Sequence, residues 1–358
     1  MGNPILGVFF HWLGGLASGS FYVPFRKVRC WSWEIFWLVG GVFSWVIAPW
    51  LFAMLRTHDL FGVLAATPKR TWELCILFGF LWGFGGLTFG LTMRYLGLSL
   101  GMAIVLGLTA AFGTLVPPLF SGELFSTLIW SVHGQIIIAG LAVCLAGITV
   151  IGYAGRSKVR EMPSSQQQRS SIAEFELRKG ILVAIFSGVM SSCFAYGLAA
   201  GEPVRKLTLA AGTDALAQGL PVLCLVLLGG ATTNFLWCFY LIARNGSATE
   251  LIGGIGPSAN LDIGTPPLWR NYLFCALAGT TWYFQFFFYT MGESQMGRYG
   301  FSSWTIHMAS IIIFSSLWGF ALKEWKGAGP QTLTLVFVGL ALLVASTIII
   351  GVGNSLPG

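Results

Sequence analysis

The sequence predicts an all-α integral membrane protein with ten transmembrane helices arranged as two inverted five-helix repeats. Hydrophobic residues make up 55% of its 358 residues, charged residues make up only 9%, and the mean hydropathy is +0.76. Soluble domains carry about 25% charged residues, so this composition excludes one. Ten apolar runs approach the roughly 20 residues that a helix needs to cross a bilayer. One long polar segment separates the first five runs from the last five.

The ten spans follow from these apolar runs and from the polar or glycine-containing breaks between them. They are expected near residues 4–25, 33–55, 72–93, 98–120, 134–154, 180–201, 214–242, 270–291, 301–322 and 331–352. Glycines recur at four-residue spacing, as in Gly15 with Gly19 and Gly79 with Gly83. Small residues let helices approach closely inside a membrane, so most of these glycines are interpreted as packing positions.

The charges in the loops predict which side of the membrane each loop faces. Most of the 20 Lys and Arg residues lie in the odd-numbered loops, beginning with Arg26, Lys27 and Arg29, and the two tails contain none. Cytoplasmic loops are enriched in Lys and Arg, so the odd loops are predicted to be cytoplasmic and both termini periplasmic. The net charge of +7 therefore indicates orientation rather than a nucleic-acid partner.

The long polar segment divides the chain into two predicted units. Residues 1–155 form the first five-helix repeat, residues 156–179 a flexible cytoplasmic linker, and residues 180–358 the second five-helix repeat. Five is an odd number of crossings, so the second unit must be inverted relative to the first, which is the layout of many secondary transporters. A weak internal echo, "WGF" at 82–84 and "WYF" at 282–284, favours the same interpretation.

Enzyme, metal and cofactor signals are weak. The seven cysteines are scattered with no C-x-x-C, so neither a disulfide framework nor a zinc site is predicted, and no cofactor is implied. The segment "GLSLG" at 97–101 matches the G-x-S-x-G pattern, but a nucleophile elbow requires a strand before the serine. Ser99 instead begins a predicted membrane helix, so an intramembrane serine hydrolase is the weakest alternative. A membrane scaffold without transport is another.

Polar side chains lie on one face of each of four spans, because residues three or four apart share a helix face. The faces comprise His11, Gly15, Ser18 and Tyr22 in the first span; Asp214 and Gln218 in the seventh; Trp282, Gln285 and Tyr289 in the eighth; and Ser303, Trp304, His307 and Ser310 in the ninth. All four faces are predicted to meet at a similar depth around a cavity that opens toward the periplasm. Amides, hydroxyls and aromatic rings with few fixed charges suit a neutral, hydroxylated solute.

Three ionisable groups are candidates for proton coupling. His11 and His307 each lie about 9–10 Å in from the predicted periplasmic surface, and histidine changes charge near pH 6.5. The alternative for each is a hydrogen bond to a neighbouring helix. Asp214 is the third candidate, and its alternative is a helix cap. Glu34, at the opposite end, is interpreted as an interfacial anchor, with an inner gate as the alternative.

Several segments together resemble the L-rhamnose–proton symporters, a branch of the drug/metabolite transporter superfamily. They are "FYVPFRKVRCWSWE" (21–34), "GLTMRYLGLSLG" (90–101), "WYFQFFFYTMG" (282–292), "SWTIHM" (303–308) and "LKEW" (322–325). The resemblance runs nearly end to end. It implies a non-enzymatic carrier in a bacterial inner membrane that imports L-rhamnose, and also L-lyxose or L-mannose, with a proton by alternating access.

The resemblance also bears on particular residues. His11, Asp214, Asn234, Gln285 and His307 fall in matching motifs, whereas "GFGGLTFG" in the third span and "GESQMGRYG" after the eighth depart from the family pattern. The predicted substrate-binding residues are Tyr22, Gln218, Trp282, Gln285, Tyr289 and Trp304, since rings can stack on the methyl group of a 6-deoxy sugar. The alternative within transport is another carrier of a small neutral solute, either an exporter or a sodium-coupled one.

Overall fold

The computed structural model describes residues 2–96, 98–122, 124–161, 177–254 and 267–356. These residues form helices joined by short turns, and no strand occurs within those ranges. The prediction of an all-α membrane protein is confirmed. Residues 162–176 of the predicted linker, together with Glu123, lie outside the described residues.

Ten long helices organise the described chain, and we number them in chain order. They are α1 (Pro4–Ser20), α2 (Trp33–Gly41, continued by a π-helical turn Val42–Ile47 and by Ala48–Arg56), α3 (Lys69–Leu96), α4 (Leu98–Phe120), α5 (Val132–Glu161), α6 (Leu177–Ala200), α7 (Leu220–Asn245), α8 (Leu268–Gln295), α9 (Ser303–Ala321) and α10 (Pro330–Ser355). Shorter helical segments connect them: Tyr22–Phe25, Leu60–Ala66, Leu124–Ile129, Glu202–Ala210, Ala215–Ala217, Ser247–Ile252 and Gly297–Ser302.

Local sequence explains several helix boundaries. The side chain of Asn3 accepts a hydrogen bond from the Leu6 N–H at 3.2 Å and so caps α1, whose first residue is Pro4. Inside α2, the π-helical turn Val42–Ile47 ends just before Pro49. Proline has no N–H and its ring clashes with the carbonyl four residues earlier, so the wider turn accommodates it.

The start of α7 departs from the predicted seventh span. The seventh span was expected from residue 214, but α7 begins at Leu220. Asp214 instead accepts a hydrogen bond from the Leu216 N–H at 2.9 Å and caps the short 3-10 helix Ala215–Ala217. A side chain that bonds its own neighbouring backbone favours a turn over a continuing helix.

Nine of these helical stretches are long and apolar enough to cross a membrane, counting the described residues only. The exception is α8, which has 28 residues and so extends about 42 Å. Its many Trp, Tyr and polar residues lower its hydropathy, although its length exceeds the thickness of a bilayer core. The chain is a multi-pass membrane protein, and the number of ten crossings stays a prediction.

The helix ends lie on two faces of the molecule. On the terminal face, where α1 begins and α10 ends, the Asn3 N–H donates to Gln295 at 3.1 Å and Asn354 donates to Ser302 at 3.0 Å. On the opposite face, Arg26 pairs with Glu324 at 3.8 Å. We call this second face the linker face, because α5 ends and α6 begins there.

The helices pack in corresponding pairs. In the first set, α1 packs against α8 and α9; in the second, α6 packs against α3 and α4. Likewise α2 packs against α8 as α7 packs against α3, and α5 packs against α10. Replacing α1 by α6, α8 by α3 and α9 by α4 converts the first set of contacts into the second.

Candidate functional site

The two imidazoles of His11 and His307 meet in the interior. His11 lies on α1 and His307 on α9, and α1 and α9 pack directly against each other. Both side chains are completely buried, and their ring centroids lie 6.3 Å apart. Two residues from opposite ends of the chain therefore form one pair, which we call the histidine pair.

Aromatic side chains enclose the histidine pair. The ring of Tyr289, on α8, lies 5.2 Å from each imidazole and so contacts both. Trp304 lies 5.6 Å from Tyr289, and its indole N–H donates to the Thr109 carbonyl at 3.0 Å. Phe286 approaches His307 from the linker side at 6.2 Å. The pair therefore sits in a ring-lined compartment formed by α1, α4, α8 and α9.

The polar atoms of this compartment lack protein partners. Both ring nitrogens of His11, both of His307 and the amide nitrogen of Gln285 are buried without a hydrogen bond to the described residues. The large majority of buried polar groups in proteins are hydrogen-bonded, so such a concentration is typical of a functional site. The alternative for these histidines was a hydrogen bond to a neighbouring helix, and neither histidine makes one to the described residues.

Glycines of α1 make the close approach possible. A Cβ atom on Gly14 would lie 2.8 Å from the Gln285 carbonyl oxygen and 3.2 Å from Cε1 of His307. On α8, a Cβ atom on Gly292 would lie 2.8 Å from Nε2 of His11. A side chain at either position would push the imidazoles out of place. These two glycines therefore hold the imidazoles in position.

The compartment is closed toward the terminal face, which differs from the predicted open cavity. Beyond Tyr289, one turn further along α8, Glu293 accepts a hydrogen bond from Arg205 at 2.8 Å. Each of these two side chains is only 14% exposed. Arg205 belongs to the short helix Glu202–Ala210, so this ion pair joins that helix to α8 above the histidine pair.

The linker face is closed by two buried carboxylates. Glu250 accepts hydrogen bonds from the backbone N–H and the hydroxyl of Ser32, both at 2.6 Å. Glu34 accepts from Asn245 and from Ser247, both at 2.9 Å. Glu34 is only 5% exposed, so the interpretation of an interfacial anchor was wrong: it ties the start of α2 to the end of α7.

Comparison with known proteins identifies the family. The model of the L-rhamnose-proton symport protein family (RhaT) matches residues 1–356. This chain belongs to that family. It is 35% identical over 355 residues to an L-rhamnose-proton symporter of Cronobacter sakazakii, covering 99% of each chain. It is 34% identical, over the same length and coverage, to symporters of the same name from Escherichia coli and Shigella flexneri. As a member of this symporter family, the chain is a transporter and not an enzyme.

The remaining predicted site residues of this symport-family chain lie away from the histidine pair. Tyr22 is 55% exposed and lies 11 residues beyond His11, about 16 Å along the helix direction. Asp214 is exposed and serves as a cap. Gln218 is half-buried near the terminal end of α8, where the adjacent Gly219 packs against Thr290. The structure does not bring these three to the compartment.

Two predicted residues lie on the linker side of the compartment. Trp282 stands between Trp45 at 5.8 Å and Phe286 at 5.1 Å. Asn234, on α7, accepts a hydrogen bond from the indole N–H of Trp37 at 3.2 Å. The side chain of Ser99 lies outside the described residues.

The sequence contains a signal for Glu293 but none for its partner. The spacing of Gln285, Tyr289 and Glu293 places all three on one face of α8. Arg205 lies between the sixth and seventh predicted spans, and nothing in its sequence surroundings shows that the helix Glu202–Ala210 folds back over the end of α8.

Proposed function

We propose that this chain imports L-rhamnose with a proton across a bacterial inner membrane by alternating access, with both termini in the periplasm. The observation that carries the proposal is the histidine pair, two wholly buried and unpartnered imidazoles 6.3 Å apart. Relatives named L-rhamnose-proton symporter, which align with this chain over 99% of both lengths, support the choice of sugar and ion.

The spacing of the pair suggests how a single proton is carried. Two unit charges 6.3 Å apart repel by about 3 kcal/mol at an effective dielectric constant of about 20. One imidazolium beside one neutral imidazole is therefore favoured over two imidazolium ions. The pair would therefore hold one exchangeable proton per transport cycle.

Both faces are closed around the compartment, which supports an occluded state in an alternating-access cycle. The ion pair of Arg205 with Glu293 lies toward the terminal face, and the hydrogen bonds of Glu34 and Glu250 lie toward the linker face. In our proposal, breaking the ion pair at the terminal face admits sugar and proton from the periplasm. Breaking the carboxylate hydrogen bonds at the linker face then delivers both to the cytoplasm.

The corresponding helix contacts support two inverted five-helix repeats and a place in the drug/metabolite transporter superfamily. Because α1 packs against α8 and α9 as α6 packs against α3 and α4, one repeat can rock against the other around a fixed centre. The histidine pair lies on α1 and α9, helices from different repeats, so rocking would change its surroundings.

Solute-driven proton movement tests the proposal. L-rhamnose, L-mannose, L-lyxose and L-fucose are added in turn to weakly buffered, de-energised cells that express the protein, and the external pH is followed. The proposal predicts alkalinisation with L-rhamnose, and with L-lyxose or L-mannose as further substrates. Uptake of L-rhamnose that requires sodium and leaves the external pH unchanged would favour the sodium-coupled carrier instead. Failure to transport any of these sugars would overturn the proposal.

A further inference from the structure

We propose that Trp45 is a sugar-binding residue: its ring, with that of Trp282, forms the wall of the sugar site, and its indole N–H donates to a sugar hydroxyl. This inference rests on the proposed function and names where that function holds its substrate. Nothing in the sequence pattern distinguished Trp45 from the other tryptophans.

A narrow cavity marks the place. It lies between the segment 21–25, α2 and α8 on the linker side of the histidine pair, and its walls include Phe21, Phe25, Trp37, Ser44, Trp45 and Trp282. The rings of Trp45 and Trp282 stand at 89° to each other with centroids 5.8 Å apart. Two perpendicular rings offer one face and one edge, which suits the apolar side of a 6-deoxy sugar.

The indole N–H of Trp45 is distinctive among those of the buried tryptophans. Trp45 is only 3% exposed, and its N–H has no partner among the described residues. By contrast, Trp31 donates to the Glu250 carbonyl at 2.9 Å, Trp37 to Asn234, and Trp304 to Thr109. Trp12 also has an unpartnered N–H, but it packs against Phe314 and does not line the cavity.

The backbone around Trp45 is built for close approach and for movement. Trp45 lies within the π-helical turn Val42–Ile47, and such turns recur at functional sites. A Cβ atom on Gly41 would overlap the Trp45 ring, and one on Gly279 of α8 would overlap the carbonyl oxygen of Gly40. The helices α2 and α8 therefore cross with their backbones in contact beside the cavity.

The cavity is too small for a sugar in this conformation, so binding requires it to widen. The cavity measures about 10 Å³, which is the space of a single water, whereas small-molecule sites usually measure about 300 Å³ or more. The sugar site is therefore collapsed in this conformation. Separation of α2 from α8 at the Gly40–Gly279 crossing would widen it and bring the Trp45 N–H within reach of a hydroxyl.

The position of the cavity also connects sugar to proton. Trp282 lies 5.1 Å from Phe286, and Phe286 lies 6.2 Å from His307. A sugar that moves Trp282 would press on Phe286, which contacts the imidazole. One aromatic ring thus separates the proposed sugar site from the histidine pair.

Equilibrium binding of L-rhamnose to the purified full-length chain tests the inference, with Trp45→Phe as the variant and Trp12→Phe as the matched control. Trp45→Phe keeps an aromatic ring but removes the N–H together with part of the indole, so deoxygenated analogues are needed to assign the effect to the N–H. It should raise the Kd for L-rhamnose about five- to tenfold, the effect of one neutral hydrogen bond. The control should bind as the wild type does. Singly deoxygenated rhamnose analogues refine the result: removal of the paired hydroxyl should weaken binding to the wild type but not to Trp45→Phe.

An unchanged Kd in Trp45→Phe, with a wild type that binds, would overturn the inference and leave the proposed function intact. Absence of L-rhamnose binding by the wild type would instead overturn the proposed function, and the inference with it. If Trp45→Phe does not fold, ultraviolet resonance Raman spectroscopy of the wild type decides. L-rhamnose should shift the band that reports indole N–H hydrogen bonding, and an unshifted band would contradict the inference.

Discussion

The terminal face and the linker face are both closed, but by different chemistry. On the terminal face, Arg205 and Glu293 form an ion pair at 2.8 Å. On the linker face, Glu34 and Glu250 accept hydrogen bonds only from neutral donors, and neither forms an ion pair within the described part of the chain. Separating the ion pair leaves two opposite charges unpaired, whereas separating either carboxylate from its donors leaves one charge and its neutral donors unpaired. The terminal face should therefore cost more to open.

The helix α8 connects the two closures. Glu293 near its end takes part in the terminal closure, and Asn271 near its start exchanges hydrogen bonds with the backbone of Arg29 at 3.1 and 2.8 Å. Between them α8 carries Tyr289, which contacts both imidazoles. We infer that opening at either face moves the same helix, and with it the surroundings of the histidine pair.

The largest effect should follow from Glu293→Gln, which leaves the Arg205 guanidinium without its buried countercharge. We expect a loss of about 2–3 kcal/mol of stability, at or just below the bottom of the range of about 3–5 kcal/mol for a broken buried pair, because both side chains keep some solvent contact. Opening should also expose the compartment. A cysteine in place of Ser303, which is wholly buried, should react with an impermeant thiol reagent added outside.

The matched control for that variant is Glu202→Gln. Glu202 is half exposed and lies 3.7 Å from Arg205, so its removal should change neither stability nor labelling. Equal labelling of the Ser303 cysteine in the two variants would show that the ion pair does not close the terminal face.

The next effect should follow from Glu250→Gln. In this variant an amide nitrogen replaces one of the two carboxylate oxygens that accept hydrogen bonds from Ser32. One buried donor is then unpaired, which costs about 1–3 kcal/mol. A cysteine in place of Ser44, which lines the cavity, should then be labelled in inside-out vesicles. Glu324→Gln is the control on the same face, since Glu324 is 56% exposed and its pair with Arg26 spans 3.8 Å.

An effect of similar size should follow from Gly14→Ala, which alters the compartment between the two closures. The added methyl group meets the Gln285 carbonyl and the His307 ring, so we expect about 1–3 kcal/mol of overpacking and a lower maximal rate of sugar uptake. Gly107→Ala is the control, because its Cβ would only touch Leu145 at an ordinary 3.5 Å. Wild-type uptake by Gly14→Ala would mean that the imidazoles need no fixed position.

The smallest effect should follow from Asp214→Asn. Asparagine caps a helix as well as aspartate does, so stability and proton coupling should both be unchanged, whereas Asp214→Ala should cost about 1 kcal/mol. Thermal unfolding and sugar-driven proton uptake check the two variants. Loss of coupling in Asp214→Asn with intact stability would restore Asp214 as a proton carrier.

The sequence alone predicted much of the fold, because span length and apolar composition are strong signals in a membrane. It placed His11, Tyr289 and His307 on helix faces that the structure does bring together. It could not predict that the compartment is closed, since closure depends on how the helix Glu202–Ala210 folds over α8. It also could not distinguish Trp45 from the other tryptophans, because the absence of a partner for its N–H is a property of the packed structure.

Proton movement by histidine variants tests the central claim most directly. Proteoliposomes with the wild type, His11→Gln or His307→Gln are given L-rhamnose, and proton uptake is measured beside rhamnose exchange. We expect either substitution to abolish rhamnose-driven proton uptake while sugar exchange persists. Wild-type proton uptake in both variants would contradict the account, because the buried imidazole pair would then carry no proton.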